Sequence, residues 1–172
     1  PELANRRVLR SLESELDDTV PAKRPVTVRD LMTFTLGTGL IMAMPGSYPI
    51  QRATDELLLF QGPPTPSIPP EPDEWMRRFA TLPLVHQPGE RWMYNTGADL
   101  LGVLIARASG QPFETFLRER IFEPLGMKDT GFFVSAEKLA RLGPSYVTNF
   151  ESGALELFDP AVGGAWGRPP AF

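Results

Sequence analysis

The chain has 172 residues, of which 42% are hydrophobic and 22% charged, and its formal net charge is −4 at pH 7. This composition is typical of one ordinary globular domain, and the interleaved charges lack the basic stripe of a nucleic-acid-binding protein. The chain has no cysteine, which excludes disulfides, cysteine-ligated zinc and cysteine nucleophiles but leaves the compartment open. No apolar run approaches the roughly 20 residues that span a bilayer, so no membrane span is expected.

The N-terminal part of the sequence predicts one well-marked helix. Residues 1–26 mix charges with prolines and show little periodicity, so we predict mostly loop there. A helix is predicted to begin after Thr27, whose side chain can accept from the amide three residues on, with Asp30 at the reciprocal position. Gly37 then offers a left-handed stop.

The next region is rich in proline. Residues 45–72 hold eight of the 19 prolines, and we predict a long, stiff loop with a short helix within 50–60. A second helix is predicted over 72–84, with two acidic residues in its first turn. Its apolar side consists of Trp75, Met76, Phe79 and Leu82.

Two consecutive amphipathic helices are predicted after the turn "HQPGERW". Asn95 or Thr96 caps the first of them, which runs to about Ala108. Gly110 suits a left-handed break, and the next helix is predicted over 112–123. The tight link favours an antiparallel helix pair. The apolar residues of the second helix are Phe113, Phe116, Leu117, Ile121 and Phe122.

The C-terminal part changes character. The β-prone runs "SYVTNF" and "GALELFD" flank "ESG" and predict a hairpin. The sequence therefore predicts a mainly α-helical chain with one small β-hairpin near its C-terminal end.

Familiar catalytic sets are absent or incomplete. His86 is the only histidine, it precedes a turn, and no G-x-S-x-G motif is present, so neither a Ser-His-Asp triad nor a histidine-rich zinc site is expected. A literal S-x-x-K occurs at Ser135 and Lys138. We interpret Ser135 as a helix N-cap and Lys138 as solvated, and in "MKDTG" the inserted Asp129 breaks a K-T-G motif.

Two segments carry a family resemblance. "PVTVRDLMTFTLGTG" and "QPGERWMYNTGADLLGVLIARASGQPFETFLRERIFEPLGMKDTGF" resemble the middle of serine β-lactamase-like proteins, which include class C β-lactamases, DD-peptidases and related esterases. The resemblance implies the helical subdomain of an α+β fold of the serine β-lactamase/transpeptidase type. The whole chain, 1–172, would be one fragment. Residues 1–144 would form the helical subdomain, and 145–172 the hairpin and a return segment toward an absent sheet domain.

The same resemblance suggests site residues. The family pattern is S-x-x-K, then Y-x-N, then K-T-G or H-x-G, and "MYN" falls where Y-x-N belongs. Without a gap, Asn95 takes the Asn position and Met93 the Tyr position. One deletion instead places Tyr94 at the Tyr position, which we prefer because methionine cannot transfer a proton. Tyr94 and Asn95 are therefore the candidate catalytic residues. A further departure is "FTLG", 34–37, where the family often has H-T-S-G.

The resemblance implies the central segment of a serine hydrolase that acts through an acyl-enzyme. Its substrate would be a β-lactam, a peptide-like amide or a small ester, and no cofactor or metal is implied. The S-x-x-K helix is expected before residue 1 and the third motif after residue 172, so the chain alone is expected to be inactive. Its partners would be a small-molecule substrate and the sheet domain of the same protein. Two alternatives remain open: a non-catalytic binding member of the fold, and an autonomous helical interaction module.

Overall fold

The computed structural model of the chain describes residues 2–59, 64–66 and 68–170. Within these ranges the elements are β1 (Arg7–Leu9), β2 (Thr19–Pro21), α1 (Val28–Met32), α2 (Pro49–Glu56), α3 (Pro72–Thr81), α4 (Thr96–Ser109), α5 (Phe113–Leu117), β3 (Ser145–Thr148) and β4 (Leu155–Asp159). A π-helical turn (Arg118–Phe122) continues α5, and 3₁₀ turns lie at Ala136–Arg141 and Ala165–Gly167. No helix in this part of the chain is long and apolar enough to cross a membrane.

The expected mainly helical fold is confirmed, and the described residues form two antiparallel hairpins where the sequence predicted one. The predicted short helix in the proline-rich loop is α2, and it is anchored in the core by Ile50. Residues 60–63 and 67 of that loop, and residues 171–172 of the predicted return segment, lie outside the described residues.

The sequence prediction missed the first hairpin. In it β1 pairs antiparallel with β2, and Val8 and Leu9 are buried in the core. Residue 84 adds a third partner: the Leu9 amide donates to the Leu84 carbonyl and the Leu84 amide donates to the Arg7 carbonyl, both at 2.8 Å. Strands of three residues have no readable alternation, so these long-range hydrogen bonds decide the conformation, and the prediction of loop was wrong at this hairpin.

The predicted start of α1 is confirmed. The Asp30 amide donates to the Thr27 hydroxyl at 3.3 Å, and the Thr27 amide donates to the Asp30 carboxylate at 2.8 Å, which completes a capping box. The Arg24 guanidinium donates two hydrogen bonds of 2.7 Å to the same carboxylate, which is buried. These bonds hold the pKa of Asp30 well below its ordinary value, with the Arg24 bonds the largest cause.

The predicted end of α1 is wrong. The helix stops at Met32, and Phe34 adopts a φ of 56° in the left-handed region. Gly37 does have a positive φ, 104°, but it serves a loop and not the helix end. A β-carbon at Gly37 would lie 2.3 Å from the His86 carbonyl oxygen, so this loop requires glycine to approach residue 86.

A single hydrophobic core joins the elements that precede Gly110. The predicted apolar side of α3 is confirmed as buried. In α4 the buried residues include Leu100 and Val103, and the helix passes so close to α1 that a β-carbon on Gly97 would lie 2.7 Å from the Leu31 carbonyl oxygen. The core residues are Val8, Leu9, Leu31, Leu36, Ile50, Leu59, Trp75, Met76, Phe79, Leu82, Leu84, Val85, Met93, Leu100 and Val103.

A buried arginine closes the C-terminal end of α3. The Arg6 guanidinium donates to the carbonyls of Phe79, at 3.3 Å, and Ala80, at 2.8 Å, and makes a third bond to the Leu82 carbonyl. Its carbon also lies 5.2 Å from the centre of the Phe79 ring. A cation at a helix C-terminus is favourable because the last carbonyls lack helical partners.

The elements after Gly110 are packed much less deeply. Gly110 is left-handed as predicted, with a φ of 73°, and α5 contacts α4 where Phe113 lies against Gly102. None of the five apolar residues predicted for the second helix is buried. The predicted second hairpin is confirmed as β3 paired with β4, and it too is almost entirely exposed.

Candidate active site

The segment "MYN" is held by the loop that follows α1. The Met93 amide donates to the Phe34 carbonyl and the Leu40 amide donates to the Tyr94 carbonyl, both at 2.8 Å. Gly39 is part of this contact, because a β-carbon there would lie 2.5 Å from the Tyr94 carbonyl oxygen. Any larger residue would push the two segments apart, so glycine sets their distance.

Met93 and Tyr94 point in opposite directions from this segment. Met93 is 8% exposed and belongs to the hydrophobic core, whereas Tyr94 is 56% exposed. Successive side chains of an extended segment alternate between its two sides. The phenol of Tyr94 is therefore available to a ligand, and the thioether of Met93 is not.

Asn95 follows in a strained conformation. It occupies the predicted N-cap position of α4, but its φ of 83° and ψ of −73° match the rare γ-turn that costs backbone energy. Its side chain accepts no hydrogen bond from the helix, contrary to the usual role of an N-cap asparagine. The half-buried amide group is thus not committed to capping, and strain of this kind in a non-glycine residue is a common feature of functional sites.

Three aromatic side chains form a group that we call the aromatic cluster: Phe34, Trp92 and Tyr94. The Phe34 ring centroid lies 6.1 Å from that of Trp92 and 6.4 Å from that of Tyr94, and the last two are 6.1 Å apart. Sequence reasoning missed this cluster, although the i, i+2 spacing of Trp92 and Tyr94 in an extended segment already placed both rings on one side.

Asp99 lies in the first turn of α4, one helical turn after Asn95. It is half-buried, and burial raises the pKa of its carboxyl to about 6. No hydrogen bond or ion pair joins this carboxylate to another residue of the described ranges. An ionised Asp99 therefore carries an uncompensated desolvation cost in this chain.

The S-x-x-K pair does not form a nucleophile–base unit. The Ser135 hydroxyl donates to the Glu137 carboxylate at 3.2 Å and does not cap the 3₁₀ turn with its side chain, so the predicted cap is present in position only. The Lys138 ammonium forms an ion pair with Asp129 at 3.1 Å and also donates to the Lys128 carbonyl. Lysine and serine are thus each committed elsewhere.

His86 lies next to a basic side chain. The imidazole Nε2 of His86 lies 3.4 Å from the Arg91 guanidinium, and burial, together with Arg91, lowers the pKa of the ring. Among the described residues there is no group of three or more histidine, aspartate and glutamate side chains that could hold a metal ion.

The family model for β-lactamase matches residues 5–164. The chain belongs to the β-lactamase family.

Relatives in this family include esterases. An uncharacterized protein from Mycobacterium tuberculosis is 41% identical over 146 residues, covering 85% of this chain and 34% of that protein. Lovastatin esterase from Penicillium rubens is 36% identical over 149 residues, covering 83% of this chain and 34% of the esterase. The chain thus spans about a third of the length of the curated relatives it matches.

Solved structures share the fold. Simvastatin synthase from Aspergillus terreus is similar with a TM-score of 0.61 and 25% identity, over 92% of this chain and 37% of that chain. A hydrolase with promiscuous acyltransferase activity is similar with a TM-score of 0.64 and 23% identity, over 87% of this chain and 36% of that chain, which bears on the fold alone.

These likenesses identify the chain as a helical subdomain of the serine β-lactamase/transpeptidase-like fold. The family is of the serine-hydrolase type, and the relatives that this chain resembles include an esterase and a penicillin-binding protein. The roles of Tyr94 and Asn95 are not decided by them and stay predictions.

Proposed function

We propose that this chain is the central segment of a serine hydrolase that cleaves a small carboxylic ester through an acyl-enzyme, with Tyr94 as its proton-transfer group. The observation that carries the proposal is the exposed side chain of Tyr94, followed in sequence by an Asn95 amide that does not cap α4, with Met93 turned into the core. Of the three substrate classes that the sequence suggested, esters are favoured by relatives such as lovastatin esterase and esterase EstB of Burkholderia gladioli, which is 46% identical over 65 residues.

The proposed step moves one proton through the phenol. A serine hydroxyl from the remainder of the protein attacks the ester carbonyl carbon while the Tyr94 phenolate takes the hydroxyl proton. When the tetrahedral intermediate collapses, the carbon–oxygen bond to the alcohol breaks and the phenol returns the proton to the departing alkoxide. A phenol in water has a pKa near 10, so proton acceptance at neutral pH requires a nearby cation. The S-x-x-K lysine of the remainder of the protein would supply it, held by the Asn95 side-chain carbonyl.

The decisive experiment compares two variants of the whole protein. Because a positioned proton-transfer group contributes about 10²–10⁴-fold in rate, Tyr94→Phe is expected to lower kcat by that factor with the fold intact. Met93→Leu is expected to change kcat by less than about tenfold, because apolar swaps of similar volume are tolerated. Steady-state ester hydrolysis with circular dichroism as a folding control measures both. A silent Tyr94→Phe would contradict the proposed role of the phenol, whatever the effect of Met93→Leu.

The chain by itself is expected to form no acyl-enzyme, because it contains no serine–lysine pair in contact among its described residues. Incubation with a chromogenic ester and with a β-lactam probe, followed by intact-mass and peptide mass spectrometry, is expected to find no acylated serine. Labelling of Ser135 would refute the structural interpretation of the "SAEK" segment.

We also propose that the absent sheet domain of the same protein covers the apolar residues left exposed after Gly110. Their exposure, described above, supports this over an autonomous helical interaction module.

A second candidate function is a non-catalytic binding member of the family, which the shortened "MYN" motif favours. A whole protein that binds esters without any acylated serine would support that candidate.

A further inference from the structure

The aromatic cluster combines two exposed rings, Trp92 and Tyr94, with the half-buried ring of Phe34. Its three interplanar angles are 16°, 33° and 46°, so no ring stands edge-on to another. Its centroid separations of 6.1 to 6.4 Å lie in the roughly 4.5–7 Å range of packed aromatic pairs. Trp92 is 61% exposed and Tyr94 56% exposed. Exposed apolar side chains that lie together mark ligand-binding or interaction sites more often than scattered ones do.

The backbone holds this arrangement in place. Trp92 and Tyr94 flank Met93, whose burial fixes the side of the segment on which both rings lie. Phe34 is held in its positive φ by hydrogen bonds at both of its backbone groups: its amide donates to the Leu31 carbonyl at 3.2 Å, and its carbonyl accepts from Met93. The Phe34 ring also lies close to Gly97: a β-carbon added to that glycine would lie 3.5 Å from the ring. The rings are therefore positioned before any ligand arrives.

The position of Tyr94 restricts what can cover the cluster. Each of the other two rings lies within 6.4 Å of the Tyr94 ring. A protein segment seated permanently on Trp92 and Phe34 would shield the phenol from the ester as well. If Tyr94 takes part in the reaction, the occupant of the cluster is the substrate.

We propose that Phe34, Trp92 and Tyr94 bind a flat apolar group of the substrate, and that this protein therefore prefers carboxylic esters that carry an aromatic ring. This inference rests on the proposed function and adds the substrate class to it. Aromatic rings pack on one another in offset or tilted geometries and gain both burial and ring–ring attraction.

The test measures selectivity in the whole protein with three esters: methyl acetate, methyl phenylacetate and phenyl acetate. Trp92→Ala is expected to lower the kcat/KM ratio of the preferred aromatic ester to methyl acetate by about tenfold or more. Trp92→Phe is expected to retain most of this ratio because it keeps a ring. If the ratio falls for methyl phenylacetate, the cluster binds the acyl part of the ester. If it falls for phenyl acetate, the cluster binds the alcohol part.

Controls separate binding from folding and from the proposed function. Phe150, which is 90% exposed in the second hairpin, provides a matched aromatic control, and Phe150→Ala is expected to leave the ratio unchanged. A Trp92→Ala protein with unchanged selectivity, or with equal losses on all three esters, would overturn the aromatic preference while wild-type hydrolysis upheld the proposed function. A folded wild-type protein that hydrolyses none of the esters, and in which a fluorophosphonate labels no serine, would overturn both.

Discussion

The part of the chain before Gly110 and the part after it contain similar kinds of residues but reach different states. Every buried apolar side chain in the described residues lies at or before Val103. After Gly110 the apolar residues are present at helical and strand spacing, yet Leu125 is 70% exposed and Leu155 is 71% exposed. The spacing of apolar residues thus determines which face of an element is apolar. That face is buried only when a second element packs against it.

The two parts differ in burial because they differ in the number of elements that pack against one another. In the first part, β1, α1, α3 and α4 all contribute to one core, and the hydrogen bonds to Leu84 connect segments far apart in sequence. In the second part, β3 and β4 contact each other, and α5 contacts α4 and its own π-helical continuation. A two-stranded hairpin without a covering layer is marginally stable in water.

The largest expected effect contrasts two leucines, one from each part. Leu84→Ala removes a side chain with 0% exposure and should destabilise the chain by about 2–5 kcal/mol, because a cavity forms as the apolar contacts are lost. Leu155→Ala removes an exposed side chain and should change the free energy of unfolding by less than about 0.5 kcal/mol. Urea unfolding followed by circular dichroism measures both. Equal effects would mean that the second part has a core of its own.

A smaller effect contrasts two aspartates that are both paired with arginine. Asp30→Asn should cost about 2–4 kcal/mol at pH 7, because it disrupts the capping box and leaves buried donors poorly matched. Asp129 pairs with Arg141 and Lys138 at the surface, and these bonds lower its pKa to about 2. Because exposed ion pairs contribute little, Asp129→Asn should leave the unfolding midpoint nearly unchanged.

The pH dependence provides the control for this pair. The folded-state pKa of Asp30 lies below its ordinary value of 3.8. Its stabilisation is therefore complete above that ordinary value and is lost as the pH falls through the folded-state pKa. The stability difference between the wild type and Asp30→Asn should shrink as the pH falls below about 4. A difference that stays constant down to pH 2 would show that the carboxylate charge is unimportant.

Local signals in the sequence sufficed for several features. The capping box at Thr27 and Asp30 and the left-handed Gly110 follow from interactions within a few residues, and the apolar side of α3 was readable from its helical spacing; all three are observed. The family resemblance was likewise readable because "QPGERWMYNTGADLLG" and the residues that follow it form one long contiguous stretch.

Contacts between distant segments decided the rest. The first hairpin depends on residue 84, and the early end of α1 accompanies the hydrogen bond between Phe34 and Met93. The same contact, with the close approach of Gly39, turns Met93 inward and Tyr94 outward. The sequence by itself determined that a tyrosine and an asparagine precede α4. Only the tertiary structure decided which side chain of "MYN" is exposed, because that depends on which side of the segment the core covers.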